Sequence, residues 1–225
     1  MKIEQEGRLD RLMTVMQSRW GQSALYPARP QTLEVIATGI QSLDDLLGVG
    51  GLPTSTVTAL CGVATSGMTT LAQQIMAQAQ SQGKVVAYFD LSNTFDGDYA
   101  RLCGVDLRTL LVVRSDTATQ ALDILCDLIV TGDVDLVVLD AFRTRLTIPG
   151  KLQTALSRSR CALLTLQSSI QDDTAFIRLH MEREKWLRQD GDVTGVRTRI
   201  TLEKHRLMPA GRSILLDIPF AEVTM

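Results

Sequence analysis

Three features of the sequence predict an α/β fold, a mainly parallel sheet flanked by helices with an antiparallel extension at one side. The first is the run TVTALCG (56–62), a glycine loop, TTLAQQIMAQAQSQG (69–83) and KVVAYFD (84–90), which reads as strand, helix, strand. The second is that VDLVVLD (134–140) and CALLTLQ (161–167) are apolar almost throughout, as strands covered on both faces are. The third is a change of rhythm after Phe176, where FIRLHME, an Asp190-Gly191 turn, VRTRITLEKHR and SILLDI follow one another without a helix.

Each element has its own signal. In RLDRLMTVMQSRW (8–20), Leu9, Leu12, Met13, Met16 and Trp20 fall on one helical face. Pro27 and Pro30 then mark a linker, so residues 1–31 are read as an N-terminal helix and linker and residues 32–225 as the core domain. A detached helix with an apolar stripe needs a partner, either its own core or a neighbouring subunit. Gly83 stops the helix that follows the glycine loop, and ATQALDILCDLIVTG (118–132) gives a second covering helix. The stretch after Phe176 is read as strand, with a helix over HMEREKWLR (180–188) as the alternative.

Composition narrows the classes. With 225 residues and 45% hydrophobic content the chain can fill a sizeable core, and a net charge of -2 lacks the basic excess of a dedicated nucleic-acid binder. Cys61, Cys103, Cys126 and Cys161 form no CxxC pair and are read as buried free thiols of a reducing cytoplasm. His180 and His205 stand apart from each other and from any cysteine pair, so no metal-catalysis ligand set is visible. The N-terminus has no apolar signal core and no stretch reaches the roughly 20 apolar residues of a membrane span, which predicts a soluble cytoplasmic protein.

GVATSGMTT (62–70) carries the chemistry. A phosphate-binding loop GxxxxGK[ST] offers backbone N–H groups and a positive helix end, and Gly62, Ser66 and Gly67 keep that cradle. Thr69 and Thr70 follow, Thr69 at the place of the hydroxyl that holds Mg²⁺, with Asp140 at a strand end as the matching acid. Met68 stands where lysine belongs, and a thioether provides no charge-assisted contact. Two readings stay open: a weakened nucleotide site for ATP or ADP with Mg²⁺, or a turn that keeps the shape without the ligand.

MQSRWGQSAL, ATGIQSLDDLLGVGGLP, GVATSGMTTL, AYFDLSNTFDGDYARLCGVD, DTATQALDI, VDLVVLD and RTRITLEKHR together resemble bacterial RecA over most of the chain. The resemblance implies the RecA-like phosphate-loop NTPase fold and assigns further roles. Asp96 and Tyr99 match the positions that contact and stack on adenine, whereas Ser92 replaces the glutamate that activates water and Ala64 replaces another acid. Gln167 matches a glutamine that senses the terminal phosphate. Lys204 and Arg206 match lysines that reach a neighbouring subunit's nucleotide. If another cation takes the missing lysine's role, Arg143 and Lys204 are the expected ones.

Relative to that family the chain is shorter between Asp140 and Gln167 and between Gln167 and Phe176, where the DNA loops belong, and no counterpart of the family's C-terminal domain follows. The first gap holds Arg143, Arg145, Lys151, Arg158 and Arg160 and no acid, a segment suited to DNA, to an acidic partner or simply to water. The expectation is a catalytically weak or silent RecA-like accessory protein, similar to the short ImuA type that accompanies a translesion polymerase factor, serving repair, recombination or damage-induced (SOS) mutagenesis. Its partner would be a RecA-fold subunit, self or RecA, or that polymerase factor. The alternative is a slow DNA-dependent ATPase that binds single-stranded DNA.

Overall fold

The computed structural model describes residues 8, 11, 12, 14–16, 33–169 and 174–221. Residues 1–32 and 33–225 form separate compact units. The described residues of the first are helical, with Leu12 60% and Val15 63% exposed. The rest of the N-terminal helix, Pro27, Pro30 and residues 170–173 of the second shortened loop lie outside the described residues.

The second unit is built on an eight-stranded sheet. Its strands are β3 (Val57–Gly62), β4 (Val86–Asp90), β5 (Leu110–Val113), β6 (Leu136–Asp140), β7 (Ala162–Gln167), β8 (Ile177–Gln189), β9 (Asp192–His205) and β10 (Ser213–Pro219). Their spatial order is β10-β9-β8-β3-β7-β6-β4-β5. All pairs from β8 to β5 are parallel, and β9 and β10 add antiparallel to the β8 side. Short strands β1 (Val35–Ile36) and β2 (Leu52–Pro53) form a separate antiparallel pair.

The helices are α1 (Gln41–Leu47), α2 (Met68–Ser81), α3 (Gly97–Leu102), α4 (Ala118–Thr131) and α5 (Gly150–Ser157). The apolar runs of the central strands split by alternation, because successive side chains point to opposite faces. Val86, Tyr88, Leu136 and Val138 enter one core with Leu71, Ile75, Met76 and Ala79 of α2. Ala87, Phe89, Val137 and Leu139 enter a second core with Ala121, Leu125 and Ile129 of α4 and Leu152 and Leu156 of α5. Two covered faces explain why these strands carry almost no polar residues.

The stretch 180–188 is strand, not helix, lying within β8 and paired with β9 across three irregularities in register. Of the four thiols, Cys61 and Cys161 are buried while Cys103 and Cys126 are half-exposed, and all four are free. Burial pushes the Cys61 thiol up to about 11 and that of Cys161 up to about 12. Among the described residues no helix is long and apolar enough to cross a membrane, and no group of three potential metal ligands occurs.

Candidate nucleotide-binding site

The loop between β3 and α2 lies at the carboxyl end of the parallel strands, where open α/β sheets place their ligands. Gly67 caps α2 at φ 82°, in the left-handed region that suits glycine, and no side chain caps the helix. The first turn of α2 therefore presents N–H groups with no partner inside the helix. A Cβ on Gly67 would sit 2.7 Å from Val196 Cγ1 and 2.9 Å from Ile218 Cδ1, so the loop is seated on the antiparallel extension. Thr198 fixes it further, donating 2.7 Å to the Ser66 carbonyl. Ser66 itself is 1% exposed, and its hydroxyl has no hydrogen-bond partner among the described residues.

A cleft of about 360 Å³ opens on this loop, bounded by residues 63–70, Ser92, Thr94, Asp140, Phe142, Arg143, Trp186 and Phe220. Thr69 is exposed on it, whereas Met68 is only 5% exposed and packs into the α2-side core. The residue in the lysine's place thus contributes to the fold and offers the cleft no cation.

Asp140 is 2% exposed and fully engaged. Its Oδ1 accepts from the Ser92 hydroxyl at 2.8 Å and the Phe142 N–H at 3.1 Å, and its Oδ2 from Tyr88 at 2.9 Å and Thr94 Oγ1 at 3.4 Å. Burial, reinforced by the Asp140 charge, raises the Tyr88 phenol far above its usual range, so it stays a donor. Four donors use the acceptor positions of one carboxylate. Asp140 therefore brings charge to the cleft floor, and Ser92 spends its proton on Asp140.

Asp90, beside Asp140 in the sheet and 1% exposed, organises the turn that delivers Ser92. It accepts from the backbone of Thr94 at 3.0 Å and Phe95 at 3.2 Å and pairs with Arg114 at 3.0 Å. The same turn ends in Asp96, which caps α3 by accepting from Tyr99 N–H at 3.0 Å. Tyr99 then joins its hydroxyl to Thr70 Oγ1 at 2.9 Å. Asp96 and Tyr99 are thereby tied to the first turn of α2, although neither lines the cleft.

The other predicted residues are spread out. Gln167, 5% exposed, ends β7 in register with Cys61, just behind the loop. Lys204 opposes Arg178, which opposes Ala59, so it lies three residues below Gly62 along the strands, roughly 10 Å away, and two strands across. Lys204 and Arg206 thus stand toward the opposite edge of the sheet from their own loop, and Lys204 is not the cation that replaces the lysine within one chain. The basic segment is likewise divided. Arg143 lines the cleft and Arg145 follows it, both exposed. Lys151 on α5 pairs with Asp123 of α4. Arg158 and Arg160 flank the start of β7, where the Cys161 carbonyl accepts from the Ser55 N–H at 2.7 Å, at the edge away from the loop. A depression of about 480 Å³ at that edge, reached by Arg206, gathers no buried ionisable group.

Sequence reasoning missed Trp186, Phe220 and Arg183. Trp186 and Phe220 meet edge to face at 6.2 Å and wall the cleft, and Arg183 donates to Thr65 Oγ1 on the loop. Their positions follow from strand register in the extension, which no local pattern reveals.

A glycine loop between a central parallel strand and a helix, with an acid at the end of β6, one strand beyond the adjoining β7, defines the phosphate-loop class of α/β proteins. The chain belongs to the RecA family: the RecA N-terminal domain model matches residues 8–169. Protein RecA of Herpetosiphon aurantiacus is 32% identical over 97% of this chain and 73% of its own length. Protein RecA of Roseiflexus castenholzii is 31% identical over 96% and 73%, and that of Agrobacterium fabrum 31% over 84% and 63%. The Herpetosiphon alignment runs over 261 positions against a chain of 225, so that relative carries segments absent here. This is a RecA-like protein of the recombination and repair class.

Proposed function

We propose that the protein is a nucleotide-binding, catalytically weak or silent RecA-like accessory subunit in DNA repair, recombination or damage-induced mutagenesis. One observation carries this reading: the cradle is kept while both catalytic positions are withdrawn, Met68 into the core and the Ser92 hydroxyl onto Asp140. The backbone and helix end fit a phosphate, and the buried unpartnered Ser66 hydroxyl supports a polar ligand at the loop. Thr69 and Asp140 would hold Mg²⁺ with the nucleotide, Thr69 by its exposed hydroxyl and Asp140 by charge. The metal, when bound, neutralises phosphate charge. The family resemblance assigns the base to Tyr99 and Asp96, which stand outside the cleft lining but are tied to the first turn of α2, and Phe220 adds an aromatic wall to the cleft itself.

Partner choice follows from the residues that do not serve their own cleft. Lys204 and Arg206, at the far edge of the sheet, suit a contact to a neighbouring RecA-fold subunit's site, and the exposed Leu12 suits docking on such a subunit or on a translesion polymerase factor. Equilibrium binding of a slowly hydrolysed ATP analogue with Mg²⁺, with and without a purified RecA partner, tests the reading. Binding strengthened by the partner is expected. Absence of any nucleotide binding would leave a scaffold that keeps only the shape.

A further inference from the structure

We propose that Arg183 of β8 supplies the phosphate-binding cation that Met68 no longer provides. This assignment rests on the nucleotide reading above and deepens it. Three observations converge on the side chain. Its Nη1 donates to Thr65 Oγ1, at the part of the loop where a β-branched residue is held at φ 68°. Its guanidinium lies 4.3 Å from the centre of the Trp186 ring, and Trp186 walls the cleft. Among the described residues it has no carboxylate partner, whereas Arg197 and Arg199 of the same extension pair with Asp217 and Glu184.

A guanidinium at the loop with no carboxylate partner is open to a charge-assisted contact with an anion. Packing on an indole face restrains such a group while leaving most of its five donors available. Thr65 accepts one of them, so the others remain for an anion seated in the cradle of residues 63–69. Arg143 also lies at the cleft, but it is exposed and its side chain has no partner among the described residues to aim it. Arg183 is the cation already docked on the loop. The ligand class is a nucleoside triphosphate or diphosphate, held by its terminal phosphate.

Trp186 makes the test direct. In a Trp20→Phe background it is the sole tryptophan, since the chain has two. Titration with the slowly hydrolysed ATP analogue and Mg²⁺ should change its emission, as an anion draws the guanidinium off the ring. Replacing Arg183 with Gln should weaken binding roughly tenfold or more, and Arg183→Lys should keep most of it. Met68→Lys should restore binding in the Arg183→Gln protein and add less to the wild-type protein, because both cations serve one phosphate. A melting curve for each variant separates lost binding from lost folding. Equal affinity for the wild-type and Arg183→Gln proteins would overturn the assignment and leave nucleotide binding intact. Binding by neither would overturn both. If Arg183→Gln fails to fold, the assignment stands or falls on Arg183→Lys and on whether Met68→Lys then adds as much as a full lysine contact.

Discussion

At position 68 the backbone opens a phosphate-type helix while the side chain turns into the core, leaving Met68 5% exposed. A similar diversion occurs at Ser92, 8% exposed, whose hydroxyl is a donor to Asp140. Installing the missing base therefore carries a structural penalty. Ser92→Glu removes a donor from a buried carboxylate and sets a second carboxylate beside it, which should cost about 1–3 kcal/mol or more and be visible as a lower melting temperature. An unchanged midpoint would mean that the side chain swings out to water, away from Asp140. Glycines, hydroxyls and the strand-end acid were legible in the sequence because each sits at a junction that local pattern marks, a loop, a helix start or a strand end. Arg183 was not, since it meets Thr65 across 118 positions and only the register of β8 on β3 brings them together.

The extension shows the limit of local pattern at the level of elements. HMEREKWLR has enough polar spacing for a helix, yet pairing with β9 and the Glu184–Arg199 ion pair hold it extended. The apolar central strands needed no such context, because two covered faces leave one reading. At the end of β9, His205 latches the strand to α1: one ring nitrogen bonds the Leu47 carbonyl at 3.1 Å and the other accepts from Leu207 N–H at 3.0 Å. Burial lowers its pKa, opposed by the Leu47 bond. Above about pH 6.5 the ring is neutral in both the folded and unfolded states. As pH falls below that value the unfolded chain takes up the proton first, so stability declines until the lowered folded pKa is passed. Thermal midpoints at about pH 7.5 and about pH 5.5 should therefore differ more for the wild-type protein than for His205→Asn. The helical residues near the N-terminus form a unit of their own, with Leu12 60% exposed. Leu12→Asp with Met16→Asp should weaken association in light scattering without moving the melting of the core. Loss of the core transition would show that this helix belongs to it.

Across the whole molecule the parallel sheet sorts function by edge. The loop, Asp140 and Arg143 share the carboxyl edge, while Arg158, Arg160, Lys204 and Arg206 occupy or approach the other. The basic segment read as one patch in the sequence because its five residues fall within one short stretch there. The segment leaves the cleft after Arg143 and Arg145, and α5, both ends of which line the depression at the far edge, carries it to the start of β7. If DNA meets the cleft edge, charge removal at Arg143 and Arg145 should flatten the salt dependence of single-stranded DNA binding by about 0.7 for each phosphate no longer neutralised, and removal at Arg158 and Arg160 should leave it unchanged. Equal effects from both pairs would favour a surface that spans the edges.

The proposed protein holds nucleotide without turning it over, and phosphate release in a single turnover distinguishes holding from hydrolysis. Protein in excess over ATP with Mg²⁺, with and without single-stranded DNA, should retain intact ATP at a rate of loss near the uncatalysed background. Rapid release, stimulated by DNA, would contradict the account and identify the protein as a DNA-dependent ATPase whose base lies elsewhere than position 92.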